Sequence, residues 1–460
     1  MLSTLGTRSA TKKKSAKSKR VLRPDIQGLR ALAVLAVIAD HLFHWPSGGF
    51  VGVDVFFVIS GFLITGVLVR EYEKTGRISF VDFYRRRIKR ILPASVLALA
   101  ATLAVSYFVF SKSRFDMVTW DVIWAFFFAG NWRFALAGTD YFQADGPVSP
   151  IQHFWSLGVE EQFYFVWPWV MLIIIAIMAK RSSNGTAVRL AIGAAITVIS
   201  AASFAWAMHE TATAPTLAYF STFSRAWELG IGAGLAILAP VLVRLPNALR
   251  PLLGWVGFLG IIASLFIISS ASVFPAPTAA LPVLATALVI LAGTGGKQRF
   301  LAPLTNRVSN YIGDISYSLY LWHFPAIILL GSVMDITQPL TAILLLAGIF
   351  LISIYAFHLV EDPIRRSAWL DAKTKHHRKQ RLPLSQSYKL TALSALVVVT
   401  ALTVAAVLTP PAQTPQAVAP VPVAKPTTTA ATPSPTPELD KLQAEISTAL
   451  TATSWPALSP

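Results

Sequence analysis

Long apolar segments separated by short polar loops dominate the chain from about residue 26 onward. Eleven of them are long enough to cross a bilayer, because a membrane-spanning α-helix needs about 20 apolar residues. These segments begin near residues 26, 50, 91, 153, 188, 222, 251, 277, 312, 338 and 388. The pattern predicts an all-α fold, a polytopic membrane helix bundle of about 11 transmembrane helices: a ten-helix core within residues 25–366 and one extra C-terminal span at residues 388–409.

A twelfth apolar segment, Met117 to Trp132, is short, aromatic and interrupted by Asp121. If it does not cross, the Lys and Arg clusters between the spans all fall on one side of the membrane. If it does cross, four of these clusters fall outside, against the rule that positively charged loops stay in the cytoplasm. We therefore predict that it lies on, or dips into, the outer surface, with the N-terminus cytoplasmic and the C-terminus extracytoplasmic.

The outer loop that contains this segment, residues 111–153, combines several aspartates with aromatic side chains. Its aromatic residues include Trp120, Trp124, Tyr141 and Phe142. Carboxylates beside aromatic rings suit a carbohydrate or polar-headgroup surface. The aromatic residues alone are equally typical of the belt found at membrane interfaces.

Composition narrows the class of protein further. The chain is 54% hydrophobic and 13% charged, with a mean hydropathy of +0.59, which exceeds the values of soluble domains. It has no cysteine, which excludes disulfides, zinc–thiolate sites and a thiol nucleophile. The net charge of +17 would suggest nucleic acid in a soluble protein. Here the basic residues lie in short loops, so we interpret them as setting membrane orientation and expect no nucleic-acid partner.

Three segments outside the core differ from it in composition. Residues 1–24 are polar and basic and predict a disordered cytoplasmic tail, and residues 367–387 predict a cytoplasmic loop. Residues 410–460 are rich in Pro, Thr and Ala, which is typical of an extended linker. We expect this linker to be extracytoplasmic and to lead to a further domain that is missing from this sequence.

Several titratable side chains interrupt the predicted spans, where a charged group needs a partner, a water-filled cavity or a function. Arg30 and His41 share one face of the first helix, roughly 16 Å apart along its axis, and could line one channel at two depths. Asp54 is expected at the depth of His41, where a carboxylate would orient the imidazole. The fourth and ninth spans add Ser156, Glu160, Tyr164, Ser316, Tyr320 and His323.

A purely structural interpretation stays open for these groups, since membrane bundles use interhelical hydrogen bonds routinely. Their compatible depths on different helices favour a shared site. Arg225 and Glu228, one helical turn apart, fit a structural ion pair better. The glycines that follow them indicate close helix packing, because no Lys-Ser/Thr completes a phosphate-binding loop.

The predicted cytoplasmic loop "FVDFYRRRIKRILPA" concentrates positive charge. Its basic residues are Arg85, Arg86, Arg87, Lys89 and Arg90. Guanidinium groups bind phosphates through two parallel hydrogen bonds, so the loop predicts a phosphate-binding site. Membrane orientation and contact with anionic lipid would explain the same charge.

Together, six stretches of the chain resemble the bacterial acyltransferase family 3 membrane proteins, in particular those fused to an outer SGNH-type esterase-like domain. The stretches run in the family's order from about residue 23 to residue 366: "LRPDIQGLRALAVLAVIADH", "GGFVGVDVFFVISGFLIT", "FYRRRIKRILPA", "FWSLGVEEQFYFVWP", "ISYSLYLWHFP" and "VEDPIRR". The family's Arg-ten residues-His motif falls on Arg30 and His41. Its Arg-x-x-Arg motif falls on Arg87 and Arg90, and its Ser-Leu-x-x-Glu motif on Ser156 and Glu160.

This resemblance implies an enzyme of the bacterial plasma (inner) membrane. Such an enzyme transfers an acyl group, commonly acetyl, from cytoplasmic acyl-CoA to a hydroxyl of an envelope polysaccharide, peptidoglycan or glycolipid outside. The donor would be acetyl-CoA or another acyl-CoA, and no metal is expected. The sequence departs from the fused members because the SGNH domain is absent, so we expect that domain to act in cis or in trans.

The two lines of reasoning give one hypothesis. Arg30, Arg86, Arg87 and Arg90 would hold the donor nucleotide, while its thioester arm reaches toward His41. His41 would act as a general base, oriented by Glu160 or Asp54, or would be acylated first and pass the group outward. Supporting roles are expected for Ser156, Tyr164, Tyr320 and His323. A flippase or exporter for an acylated lipid or sugar is the competing function, and a purely structural anchor is a third.

Overall fold

The computed structural model describes residues 23–139, 141, 148–180, 184–296, 300–367, 369–370 and 446–447. The chain divides into two units, residues 1–411 and 412–460. The second unit is described at Ile446 and Ser447, which are helical. Much of the predicted tail, the loop at 371–387, the final span at 388–409 and nearly all of the linker lie outside the described residues.

The described part of the first unit consists of fifteen α-helices, and it contains no β-strand. The helices are α1 Pro24–Phe43, α2 Gly52–Thr75, α3 Phe80–Val109, α4 Lys112–Phe126, α5 Gly130–Leu136, α6 Phe154–Lys180, α7 Gly185–Thr213, α8 Pro215–Phe220, α9 Thr222–Leu242, α10 Leu249–Ile267, α11 Ala280–Gly293, α12 Ala302–Thr305, α13 Arg307–Gly331, α14 Pro339–Ala356 and α15 Asp362–Arg366. A 3₁₀ turn, Gly49–Val51, precedes α2, and a π-helical turn, Phe357–Glu361, follows α14.

Eight described helices are long and apolar enough to cross a membrane: α1, α2, α3, α6, α7, α9, α10 and α14 with the turns that extend it. The shorter apolar α11 and the more polar α13 bring this set to the ten core helices that the apolar pattern predicted. Large apolar side chains such as Leu340 and Leu344 on α14 are exposed, as expected where lipid is the solvent. The chain is therefore a multi-pass membrane protein.

The segment Met117 to Trp132 does not form a spanning helix in the structure. Its first part lies in the 15-residue α4 and its end lies in the seven-residue α5. Neither helix is long enough to cross a membrane. This agrees with the prediction that the segment does not cross, while its side of the membrane stays a prediction.

Helix α3 begins earlier than the apolar pattern suggested. The apolar run starts near residue 91, but α3 starts at Phe80, with Ser79 as its N-cap. The Ser79 hydroxyl accepts a hydrogen bond from the backbone N–H of Asp82, which compensates a donor left free by the helix end. The arginine-rich segment predicted as a loop is therefore helical. As a consequence, Arg87 and Arg90, three residues apart, share one face of α3.

Two glycines allow the closest helix contact in the bundle to form between α2 and α9. A side chain at Gly61 would overlap the backbone carbonyl of Leu229, and one at Gly232 would overlap the carbonyl of Val58. Backbones approach this closely only where small residues remove the side-chain barrier. The prediction that the glycines after Glu228 serve helix packing is confirmed at Gly232.

The centre of the bundle is organised around α1 and α13. Helix α1 packs against α2, α11, α12 and α13, and α13 also packs against α3 and α14. Gly313 of α13 meets the backbone of Gln27 on α1, and Gly28 of α1 meets the backbone of Leu304 on α12 at the same end. Several polar residues of α13 are buried within the bundle: Ser316, Ser318, Tyr320 and His323.

Candidate active site

A cavity opens between α1, α2, α3, α6 and α13. It encloses about 760 Å³ of space free of protein atoms, including its open mouth. Seven of the eleven predicted site residues line it: Arg30, Arg87, Arg90, Ser156, Glu160, Tyr164 and Tyr320. The helices bring together residues that are up to 290 positions apart (30 to 320) in the sequence.

Three arginines give the cavity a positively charged wall. Arg30 donates a hydrogen bond to the amide oxygen of Gln27 at 2.9 Å, and the Arg87 guanidinium lies 4.7 Å from the centre of the Tyr164 ring. Among the described residues, none of Arg30, Arg87 and Arg90 forms an ion pair with a carboxylate. Their N–H donors are therefore available to an anion that enters the cavity.

Arg86 does not line this cavity, and its role in binding the donor stays a prediction. It forms an ion pair with Glu71 at 3.1 Å, and its side chain is 54% exposed. Its ion pair with Glu71 of α2 holds the Arg86 side chain outside the cavity that Arg87 and Arg90 line.

The buried carboxylate of Glu160 is held inside the cavity wall. It accepts hydrogen bonds from the hydroxyls of Ser60 at 2.8 Å and Tyr164 at 3.2 Å. The adjacent Glu161 also lines the cavity. Glu160 is not in contact with His41, so the expectation that it orients that imidazole directly is not met.

His41 instead pairs with His323 across the contact between α1 and α13. Their rings stack almost in parallel, with centroids 5.2 Å apart, and His41 Nδ1 lies 3.0 Å from His323 Nε2. The other nitrogen of His41, Nε2, lies 2.7 Å from the hydroxyl oxygen of Tyr141. Both ring nitrogens of His41 therefore have partners that differ from the predicted carboxylates.

Backbone carbonyls determine the tautomers of this histidine pair. His323 Nδ1 lies 2.7 Å from the carbonyl oxygen of Tyr320 and 3.2 Å from that of Leu319. A carbonyl only accepts, so neutral His323 carries its proton on Nδ1 and its Nε2 accepts from His41 Nδ1–H. His41 Nε2 is then unprotonated and accepts from Tyr141. The helix backbone thus leaves a basic nitrogen at His41 Nε2.

Tyr320 connects the cavity to the histidine pair. Its ring lines the cavity and lies 5.4 Å from the ring of His323. Its hydroxyl lies 2.6 Å from Ser156 Oγ and donates to the carbonyl oxygen of His153 at 2.9 Å. The lining residues include Arg30 and Tyr320 but not His41. The cavity therefore does not form the predicted common channel of Arg30 and His41.

Asp54 lies in a separate buried cluster on the contact between α2 and α9. Arg225 donates to Asp54 at 3.0 Å and to Glu228 at 2.7 Å, and all three side chains are at most 1% exposed. The predicted ion pair between Arg225 and Glu228 is confirmed. The predicted contact of Asp54 with His41 is wrong, because the arginine of α9 binds this carboxylate instead.

The sequence interpretation missed two residues that contact the histidine pair. Tyr141 is 100 residues from His41 along the chain and was assigned to the surface of the outer loop. His153 is fully buried, and its ring lies 5.3 Å from that of His323, with neither nitrogen at hydrogen-bond geometry to a partner. Its position one residue before α6 was the available signal. In the part of the chain that is described, no group of His, Asp or Glu side chains is arranged to hold a metal ion.

Comparison with known proteins places this site in context. The Acyltransferase domain family matches residues 23–358. Peptidoglycan O-acetyltransferase OatA of Listeria monocytogenes is 33% identical over 369 residues, covering 78% of this chain and 58% of OatA. A second relative is named putative peptidoglycan O-acetyltransferase YrhL, of Bacillus subtilis. It is 35% identical over 353 residues, covering 74% of this chain and 55% of YrhL. No solved structure matches significantly.

This chain spans little more than half the length of these two relatives. The family match nevertheless covers most of the chain and includes every residue that lines the cavity, together with His41 and His323. It confirms the family that the six sequence stretches resembled. The chain therefore belongs to acyltransferase family 3 and is a multi-pass membrane protein of that family.

Proposed function

We propose that this protein is an acyl-CoA-dependent O-acyltransferase that transfers an acyl group, acetyl first of all, to a hydroxyl of an envelope glycan or glycolipid. The observation that carries the proposal is a cavity with arginines that form no ion pair on one wall and, at Tyr320, contact with His323, the histidine that orients the basic nitrogen of His41. The names of OatA and YrhL favour peptidoglycan as the acceptor class and acetyl as the group.

The arginine wall supports acyl-CoA as the donor. Coenzyme A carries several phosphate charges at one end and its thioester at the end of a long, thin arm. Arg30, Arg87 and Arg90 offer unpaired guanidinium donors to those phosphates. The arm would then extend along the cavity toward Ser156 and Tyr320, which brings the thioester to the side of the histidine pair.

The histidine pair supports general-base catalysis. In the proposed reaction His41 Nε2 is the general base that accepts the proton of the acceptor hydroxyl. The acceptor hydroxyl then replaces the Tyr141 hydroxyl as the hydrogen-bonding partner of His41 Nε2. His323 acts as a positioning residue, because its Nδ1–H is held by backbone carbonyls and its Nε2 orients His41. Acylation of His41 itself is the alternative route. It would use the same nitrogen as a nucleophile.

The sidedness follows the positive-inside rule. Arg30 lies near the start of α1, and we place this end at the cytoplasm, where acyl-CoA is made. His41 lies in the last turn of α1, toward the envelope side. Donor and acceptor would thus approach the reacting atoms from opposite sides of the bundle. An SGNH domain in cis or in trans would act after this step.

The test uses the full chain in proteoliposomes with acetyl-CoA and a peptidoglycan fragment or chitooligosaccharide as acceptor. Wild type should release free CoA only when acceptor is present and should yield an acetylated glycan by mass spectrometry. His41→Gln should lose at least about 10²-fold in kcat, the usual contribution of a general base. His209→Gln, at an exposed histidine near the end of α7, is the matched control and should stay at the wild-type rate.

Two results would overturn the proposal. Normal acetyl transfer by folded His41→Gln would remove the catalytic assignment. Movement of an acylated lipid or sugar across the vesicle membrane, without cleavage of a thioester, would establish the competing transport function instead.

A further inference from the structure

Two hydroxyl groups meet on the cavity wall beside the histidine pair. Ser156 Oγ lies 2.6 Å from Tyr320 Oη. Both oxygens also contact the carbonyl oxygen of His153, at 3.2 Å from Ser156 and 2.9 Å from Tyr320. Ser156 and Tyr320 are 4% and 6% exposed, and both line the cavity. These three oxygens form a triangle, in which Ser156 and Tyr320 are the hydroxyl pair.

The triangle has more contacts than protons. Each hydroxyl has one O–H to donate, and the His153 carbonyl has none. Three oxygen–oxygen contacts therefore share two protons, and one contact lacks a hydrogen bond at any moment. Both O–H groups are therefore committed within the triangle, to the His153 carbonyl or to each other. The two hydroxyl oxygens are already in place on the cavity wall, so a carbonyl oxygen that enters can accept both O–H groups after rotation about the C–O bonds alone.

The location fits the reacting carbonyl of an acyl donor. Arg30, Arg87 and Arg90 lie in the same cavity and are placed to hold the phosphate end. Tyr320 contacts His323 through its backbone carbonyl and through its ring, and His323 holds His41. The hydroxyl pair thus lies in the cavity proposed for the donor and is connected through His323 to the proposed base.

We propose that Ser156 and Tyr320 form an oxyanion-binding pair, whose hydroxyls donate hydrogen bonds to the thioester carbonyl oxygen of the acyl donor. The inference rests on the proposed function and adds two catalytic residues to it. Donors that are already in place where negative charge develops stabilise a transition state without reorganisation.

The step balances as follows. The acceptor oxygen attacks the thioester carbon and gives its proton to His41 Nε2, and the carbonyl π electrons move to the oxygen held by Ser156 and Tyr320. When that oxyanion re-forms the C=O bond, the C–S bond breaks and its electrons leave with the sulfur of coenzyme A. The His41 imidazolium returns the proton to this thiolate. The products are the ester and free CoA–SH, and His41 is neutral again.

The primary test compares Ser156→Ala and Tyr320→Phe with wild type in the proteoliposome assay. Each change removes one donor and should lower kcat by about 10²- to 10³-fold. The KM for acetyl-CoA should change less than about threefold, because the interaction forms fully only in the transition state. Ser264→Ala and Tyr84→Phe are matched controls, since their hydroxyls bind backbone carbonyls outside the cavity. Both should retain wild-type kcat.

A second measurement separates catalysis from packing and does not need turnover. Acetonyl-CoA keeps a carbonyl but has no scissile thioester, and S-propyl-CoA has the same shape without the carbonyl. Wild type should bind the ketone more tightly, and Ser156→Ala and Tyr320→Phe should lose that preference while binding S-propyl-CoA as wild type does. A purely structural role would weaken both ligands equally.

The outcomes distinguish this inference from the function on which it rests. If the Ser156→Ala/Tyr320→Phe double variant is folded and keeps kcat within about threefold of wild type while His41→Gln is inactive, the oxyanion pair is refuted and the acyltransferase proposal stands. If wild type releases no CoA, the proposed function fails. The loss or retention of ketone preference in the two variants then still decides whether the hydroxyls bind a carbonyl.

Discussion

His41 on α1 and His323 on α13 stack with their ring planes only 4° apart and share a 3.0 Å nitrogen–nitrogen contact. The backbone of α13 thereby determines which ring nitrogen of His41 on α1 is unprotonated. The carbonyls of Leu319 and Tyr320 fix the proton of His323 on Nδ1, and His323 in turn fixes that of His41. The carboxylate that orients the histidine in hydrolytic triads is replaced here by a second imidazole.

The first prediction concerns this pair. His323→Phe removes the acceptor for His41 Nδ1–H, so the tautomer and ring angle of His41 are no longer fixed. We expect kcat to fall by about 10²-fold with little change in the KM for acetyl-CoA. His323→Gln, whose side-chain oxygen can accept the same hydrogen bond, should recover part of the rate.

Steady-state kinetics in proteoliposomes would check this result. Wild-type turnover by folded His323→Phe would show that His41 does not depend on its neighbour for orientation.

The second prediction concerns donor binding. Arg87→Ala and Arg90→Ala each remove a charged donor from the cavity wall and should raise the KM for acetyl-CoA about tenfold or more, because a hydrogen bond to a charged group contributes about 1.5–3 kcal/mol. Arg87→Lys should restore this only in part, since an ammonium group cannot bind phosphate bidentately.

Arg86→Ala is the matched control for this series. Its exposed ion pair with Glu71 lies outside the cavity, so KM should change less than about twofold. An Arg86 effect as large as that of Arg87 would place the nucleotide outside the cavity.

The third prediction concerns the buried cluster of Asp54, Arg225 and Glu228. Arg225→Met leaves two buried carboxylates without their cation and should lower the free energy of unfolding by about 3–5 kcal/mol. Asp54→Asn keeps an oxygen for Arg225 and should have a smaller effect. Denaturation in detergent micelles measures both changes.

This prediction separates a structural Asp54 from a catalytic one. If Asp54→Asn abolished turnover while its stability equalled that of wild type, the catalytic role expected from the sequence would be restored.

The fourth prediction concerns helix packing. Gly232→Leu places a side chain against the carbonyl of Val58 and should separate α2 from α9, with loss of folded protein during membrane expression. Gly234→Leu is a matched control on the same helix, because a side chain there meets no atom within 4 Å. The yield of monodisperse protein from size-exclusion chromatography reports the difference. Equal yields would argue against the close contact.

Much of the fold was predictable because apolar length alone marks a membrane helix. The ten core helices follow the apolar segments, and α3 differs because its N-cap extends the helix into the charged region before them. The pairing of Arg87 with Arg90 was implied by the family's Arg-x-x-Arg motif, because the segment itself was predicted as a loop. The position of Arg86 was not predictable from spacing, since Arg86 lies one helical turn from Arg90 and is held outside the cavity by its ion pair with Glu71.

Contacts between helices were not predictable in the same way. Sequence periodicity gives the face of a residue but not the neighbour that this face meets. Asp54 was expected beside His41, yet its face meets α9 and Arg225. Tyr141 and His323 reach His41 from positions 100 and 282 residues away, so no local pattern could pair them.

Tyr320 contacts both the cavity and the histidine pair, so binding in the cavity can affect the histidines. Its side chain lines the cavity proposed for the donor, and its backbone carbonyl holds the Nδ1–H of His323. A donor that draws the Tyr320 hydroxyl toward itself would therefore shift the residue that orients the proposed base. Binding of the acyl donor from one side of the membrane would then change the position of the His41 imidazole, which acts on the acceptor from the other side, without any large movement of the helices.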